Sequence, residues 1–133
     1  MNVLVDTCVW SKVLRTDAPD LELSALLKDL IVDNRTVLIG PIYQEILSGV
    51  RNKHDFKVLA EMLSSFDQLM LTMEIYKKAA ENYNTCKSKG INGSHVDFLI
   101  CAVAQHYNCG LFTIDSDFNL FAKHLSFTLF HKK

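Results

Sequence analysis

The sequence predicts an α/β domain in three layers, with a central, mostly parallel sheet of four or five strands flanked by helices. Three observations lead there. Short apolar runs alternate along the chain with longer segments of helical periodicity, the order expected of a parallel sheet with helical crossovers. The apolar runs are continuous instead of alternating, as in strands buried on both faces. Two of them end in an aspartate followed by a helix-like segment, which places acids where α/β sheets gather functional groups.

Residues 2–6, ending Val5-Asp6, read as the first strand, and residues 7–14 as a helix. Residues 20–32 carry Leu23, Leu26, Leu27, Leu30 and Ile31 at helical spacing. A second strand at 36–39 is stopped by Gly40-Pro41. Proline tolerates the first helical turn, where its missing N–H has no partner to lose, so a helix is expected from 41 to about 50. Helical patterns at 55–65 and 74–89 enclose a short strand at 68–71, and 89–93 is a turn. Ser94 caps a helix over 94–107, a strand follows at 111–114, then a short helix at 116–123 and a last strand at 127–130.

With 133 residues, 49% hydrophobic and 22% charged, the chain suffices for one buried core, and residues 1–133 are expected to form a single domain. Two prolines, five glycines and no Ser/Gly-rich run leave no place for a flexible linker. The apolar N-terminus is interrupted by Asp6 and has no basic segment before it, unlike a secretory signal. The longest apolar run, 98–104, is far short of the roughly 20 residues that span a bilayer. A soluble, cytoplasmic protein without membrane attachment is expected. Cys8, Cys86, Cys101 and Cys109 form no CxxC pair, so reduced and mostly buried thiols are expected. A net charge of −1 excludes nucleic-acid binding by the surface field as a whole; any such binding needs a local basic patch.

Each candidate acid has a local explanation. Asp6 and Asp115 suit helix N-caps, Asp117 a first helical turn, and Glu45 a solvated helix surface. Ser94-x-x-Asp97 has the form of a capping box. Asp97, however, shares its face with Ile100, Cys101 and Ala104, which should pack inward, and a carboxylate turned toward a core needs a partner. In a parallel sheet these acids can converge. Like charges about 4 Å apart repel by about 4 kcal/mol at an effective dielectric near 20, so such a cluster needs raised pKa values or a bound cation. Oxygen donors without a histidine or cysteine set suit Mg²⁺ or Mn²⁺, and such a site suits phosphodiester chemistry.

The motifs resemble those of PIN-domain ribonucleases, in particular the VapC-type toxins of toxin–antitoxin operons. The matching segments are Val5-Asp6-Thr7-Cys8-Val9-Trp10, residues 41–47 around Glu45, residues 96–102 around Asp97, and residues 112–118 with Asp115 and Asp117. All four in this order and spacing span nearly the whole chain. The resemblance implies that Asp6, Glu45, Asp97 and Asp115 are the catalytic, metal-holding acids, with Asp117, Thr113 and Thr7 in support. It implies Mg²⁺- or Mn²⁺-dependent endonucleolytic cleavage of structured RNA, tRNA or rRNA, by metal-activated water. It further implies a cognate antitoxin that inserts a basic side chain into the acidic pocket, and a homodimer. The family frequently has Arg where this chain has Ile114, which removes one phosphate contact.

Candidate RNA contacts are Lys12, Arg15, Arg51 and Lys53, with Lys87 and Lys89 before the Asp97 helix. Trp10 and Tyr43 are candidates for stacking on a base, core packing being the alternative for at least one. His95 is two residues from Asp97 and so on another face of its helix, which argues against a general base. Leu26, Leu30, Ile46, Leu47, Leu59 and Leu63 exceed the obvious needs of one core and suit a self-association face. The alternatives are a non-toxin RNA-processing nuclease of the same family, a catalytically silent RNA- or protein-binding module, and a nucleotide-binding α/β domain. No acid is missing, which disfavours the silent module. No Gly-x-Gly-x-x-Gly or P-loop is present, which disfavours the nucleotide-binding domain.

Overall fold

The computed structural model describes residues 1–14, 17, 18 and 20–130. In chain order the elements are β1 (Val3–Val5), α1 (Thr7–Val13), α2 (Leu21–Val32), β2 (Thr36–Leu38), α3 (Gly40–Leu47) and α4 (Lys53–Ser64). They continue with β3 (Asp67–Gln68), α5 (Met73–Lys87), α6 (His95–Tyr107), β4 (Gly110–Phe112), α7 (Asp117–Phe121) and β5 (Thr128–Leu129). The strands form one sheet in the order β3-β2-β1-β4-β5, and every neighbouring pair is parallel.

This order creates the site. From β1 the chain winds outward through β2 and β3, then returns to lay β4 on the other side of β1 and continues to β5. The switch point lies between β1 and β4, where the crevice beyond the strand carboxyl ends is the usual binding place in such sheets. Leu4 pairs with Leu111 and Val5 with Phe112, so the next residues in register are Asp6 and Thr113. The bond from Asp6 N–H to Phe112 O, 2.9 Å, carries the ladder up to the acid itself.

Helix starts follow their caps. Asp20 accepts from Leu23 N–H at 3.1 Å, and Asn52 accepts from the N–H groups of His54 and Asp55 at 2.9 and 3.1 Å, starting α4 ahead of the expected residue 55. Expected helix ends were too long where a turn intervenes. Ser48 leaves the helical region and Gly49 takes a φ of +90°, so α3 stops at Leu47 instead of near 50. The strand expected over 111–114 is β4, shifted back and shorter. Ile114 is 44% exposed and lies outside the sheet, so Asp115 stands beyond the strand and not at its end.

The core runs from β1, wholly buried, to α6, in which Phe98 to Ala104 are all buried. Cys86, Cys101 and Cys109 are buried free thiols. Leu30, Ile46, Leu47 and Leu63 belong to this same core, and Leu26 and Leu59 pack against it. The self-association face expected from those residues is therefore corrected: their surplus is taken up within the chain, because several short elements share one sheet. Among the described residues no helix is long and apolar enough to cross a membrane.

One core position carries a cost. Thr36, at the start of β2, is 5% exposed and its Oγ1 has no hydrogen-bond partner. Valine has nearly the same shape without the orphaned hydroxyl. Thr36→Val is expected to raise unfolding stability by about 1 kcal/mol in urea titrations, and a destabilised variant would show that the hydroxyl is satisfied.

Candidate acidic active site

Asp6 occupies the turn from β1 into α1 and is the N-cap of that helix. Its Oδ1 accepts from Thr7 N–H at 2.8 Å, so the local reading of this acid holds. Its other oxygen faces across the switch point. Thr113 Oγ1 donates to Asp6 Oδ2 at 2.8 Å and accepts from Asp115 N–H at 3.1 Å. The Cys8 thiol lies 3.5 Å from Asp6 Oδ2 and 3.4 Å from Thr113 Oγ1. Asp6 is 8% exposed. Burial raises its pKa, the bonds from Thr113, Thr7 N–H and Cys8 pull it back, and the charge of Asp97 raises it further.

Glu45 comes from α3 and is exposed as a residue, yet its carboxyl group belongs to the same field. Partial burial raises its pKa first, then the charges of Asp6 and Asp97, while the nearby Thr7 hydroxyl lowers it. That hydroxyl is buried and makes no hydrogen bond of good geometry. Asp97 opens α6 and completes a capping box: its Oδ2 accepts from Ser94 N–H and its own N–H donates to Ser94 Oγ, both at 3.0 Å. The inward face predicted for it is present, since Ile100, Cys101 and Ala104 are buried. The argument that this face speaks against a local cap is corrected, because one half-buried carboxylate serves both sides of the helix start.

Asp6, Glu45 and Asp97 are thus brought into mutual electrostatic range. Asp115 is exposed and reaches the group through Thr113; its Oδ1 accepts from Asp117 N–H at 3.0 Å. Asp115 is not a helix N-cap, that place being taken by Ser116, while Asp117 lies in the first turn of α7 as its local reading expected. Beside them lies a cavity of about 210 Å³ bounded by Thr113, Ile114, Asp115, Ser116 and Asn119.

Cys8 is the site residue that sequence reasoning missed. Its only signal was a position two residues after Asp6; burial holds its thiol pKa above the ordinary value, so it stands protonated between two oxygens. Trp10 is 1% exposed and packs against Phe66 with ring centroids 5.6 Å apart, so it is a core residue and not a base-stacking one. Tyr43 is half-buried against the core. His95 is exposed and stacks on Tyr83 at 5.0 Å. Lys12, Arg51, Lys53, Lys87 and Lys89 are exposed; Arg15 lies outside the described residues.

A hard divalent cation fits the donor chemistry. The donors are carboxylate and hydroxyl oxygens, and the Thr7 hydroxyl is a buried oxygen without a good partner. Among the described residues no three His, Cys, Asp or Glu side chains are disposed to enclose a metal ion. Mg²⁺ and Mn²⁺ take oxygen donors of this kind and lean on one or two carboxylates while keeping several waters.

A parallel α/β domain that carries acids at the switch point of its sheet defines the class. The chain belongs to the PIN domain family, whose model matches residues 3–124. Comparison with curated protein sequences gives no significant match. Similar solved structures include FitAcB from Neisseria gonorrhoeae, at 21% identity, 97% and 96% coverage of the two chains and a TM-score of 0.74. VapBC2 from Rickettsia felis, bound to a DNA fragment from its promoter, is 16% identical with full coverage of both chains and a TM-score of 0.80. A toxin-antitoxin complex from Klebsiella pneumoniae is 16% identical over 86% and 88% of the chains, with a TM-score of 0.69. At these identities the likeness is one of fold.

Proposed function

We propose that the chain is a Mg²⁺- or Mn²⁺-dependent endoribonuclease, the toxin of a toxin–antitoxin pair, that cleaves structured RNA such as tRNA or rRNA. The observation that carries this reading is the buried Asp6 carboxylate at the sheet's switch point, its pKa raised by burial and then by the charge of Asp97, with Glu45 raised by partial burial and by the charges of Asp6 and Asp97. A bound divalent cation would supply Lewis-acid activation of water and stabilisation of the leaving 3′ oxygen.

The chain's own groups prepare that chemistry. Asp6 and Asp97 would hold the cation, with Glu45 and Asp115 completing the acidic surround and Asp117 in support. Thr113 bonds the Asp6 oxygen and the Asp115 backbone N–H through a single hydroxyl, linking the turn after β1 to the loop after β4. Thr7 has a free acceptor beside Glu45. Lys12, Arg51 and Lys53 are exposed cations available to RNA phosphates, positioning and not specifying the substrate.

The partners belong to the same reading. An antitoxin is supported by the solved complexes of similar fold, and an acidic crevice is complementary to a basic side chain from such a partner. A single domain, a homodimer and a cytoplasmic setting complete it; the dimer face lies elsewhere than on the buried Leu30, Ile46 and Leu63.

Purified protein is expected to cleave RNA with Mn²⁺ or Mg²⁺, leaving 5′ phosphates, and to lose this in EDTA and in the Asp97→Asn variant. Cleavage that persists in EDTA or survives Asp97→Asn undiminished would overturn the mechanism.

A further inference from the structure

Gly93 lies outside the left-handed region occupied by Gly49 and Gly90, so its backbone conformation does not demand glycine. Space does. A Cβ there would stand 2.7 Å from Cζ of Phe121 and 3.0 Å from Cε2 and Cζ of Phe98. Neither ring has room to retreat. Phe121 is fully buried and Phe98 1% exposed; their centroids are 4.9 Å apart, with Phe118 5.3 Å from Phe121 and Tyr83 5.6 Å from Phe98. In so dense a cluster the backbone at residue 93 has to yield. The next residue is Ser94, whose N–H donates to Asp97 Oδ2 at 3.0 Å.

We propose that Gly93 is a positioning residue for the acidic site: its missing side chain lets the backbone seat on Phe98 and Phe121, which fixes Ser94 and, through the Ser94 N–H, the Asp97 carboxylate. The same cluster anchors α7, which follows Asp115, so one aromatic group sets the spacing of acids from two segments. This inference rests on the cation-binding reading above.

The test is Mn²⁺ affinity of the full chain, measured from the free-ion electron paramagnetic resonance signal, alongside thermal unfolding. Gly93→Ala is expected to bind about tenfold more weakly, the usual scale for losing support behind a metal ligand. Gly93→Ala/Phe121→Leu should recover most of that loss, since leucine has no atom at Cζ. Phe121→Leu alone should lower the melting temperature while weakening affinity less than Gly93→Ala does, which separates positioning from stability.

A second pair tests the Ser94 link without touching the cluster. Ser94 has a φ of −80°, which proline accepts. Ser94→Pro removes the N–H bond to Asp97 and should bind Mn²⁺ about tenfold more weakly than Ser94→Ala, which keeps it. This pair decides the matter if Gly93→Ala does not fold. Folded Gly93→Ala with parental affinity, or Ser94→Pro binding as well as Ser94→Ala, overturns the proposal. A parental chain that binds no Mn²⁺ overturns the metal reading itself and the proposal with it.

Discussion

Asp6→Asn is expected to abolish divalent-cation-dependent RNA cleavage, by about a thousandfold or more, and to stabilise the metal-free protein at neutral pH. The first effect follows from losing the proposed central anionic ligand of a cation that supplies several kcal/mol of charge stabilisation, each 1.4 kcal/mol being about tenfold in rate. The second follows from burial. The Asp6 pKa lies above its ordinary 3.8 because the carboxylate is desolvated, with Asp97 adding repulsion. Between the ordinary and the raised value the folded state binds more protons than the unfolded state. Stability therefore falls as pH rises through that window and stays lower above it. Glu45, also raised, acts in the same direction.

Asparagine keeps the bond from Thr7 N–H to its carbonyl, and its amide can donate to Thr113 Oγ1 with the direction of that bond reversed, without the charge. The melting temperature of metal-free Asp6→Asn should therefore exceed that of the parent at pH 7, and the gap should close toward pH 3. Mn²⁺ should reverse the order, since it stabilises only the chain that binds it, by about 2.7 kcal/mol at a hundred times its Kd. Thermal scans at two pH values with and without Mn²⁺ check all three statements. A variant less stable than the parent at pH 7 without metal would show that the Asp6 charge is paid back by its hydrogen bonds.

The elements were legible because apolar periodicity reports burial directly, and the three central strands β1, β2 and β4 are buried throughout. Their ends were not. Ile114 extends the apolar run past Phe112, yet it is exposed, so sequence periodicity could not separate the last strand residue from the loop carrying Asp115. The acids Asp6 and Asp97 were found from placement and face, and Glu45 only through the family resemblance, since one glutamate on a short helix looks like any other. Cys8 was missed for a different reason. Its partners are two residues and 105 residues away in the chain, and only the register between β1 and β4 brings the distant one within 3.4 Å. Gly93 was legible as a turn residue, whereas the Phe121 ring that excludes any Cβ there arrives from another element.

Trp10→Ala is expected to cost about 3–5 kcal/mol of unfolding free energy, while Trp10→Phe stays within about 1 kcal/mol of the parent. The indole is fully buried against Phe66, so truncation leaves a large cavity. Its Nε1 has no hydrogen-bond partner, so phenylalanine loses little volume and also removes an unsatisfied donor. A domain of this size has about 5–15 kcal/mol in all, which makes the alanine variant marginal at best. As the chain's single tryptophan, Trp10 should emit at short wavelength, and RNA should neither quench nor shift it. Folded Trp10→Phe that loses RNA binding would restore the stacking role. The position also matters for the site. Trp10 N–H and Val9 N–H both donate to Asp6 O, at 3.3 and 3.1 Å, so the first turn of α1 ties the acid's backbone to a core anchor. The buried indole thus holds, from inside the core, the helix start on which the Asp6 carboxylate is presented.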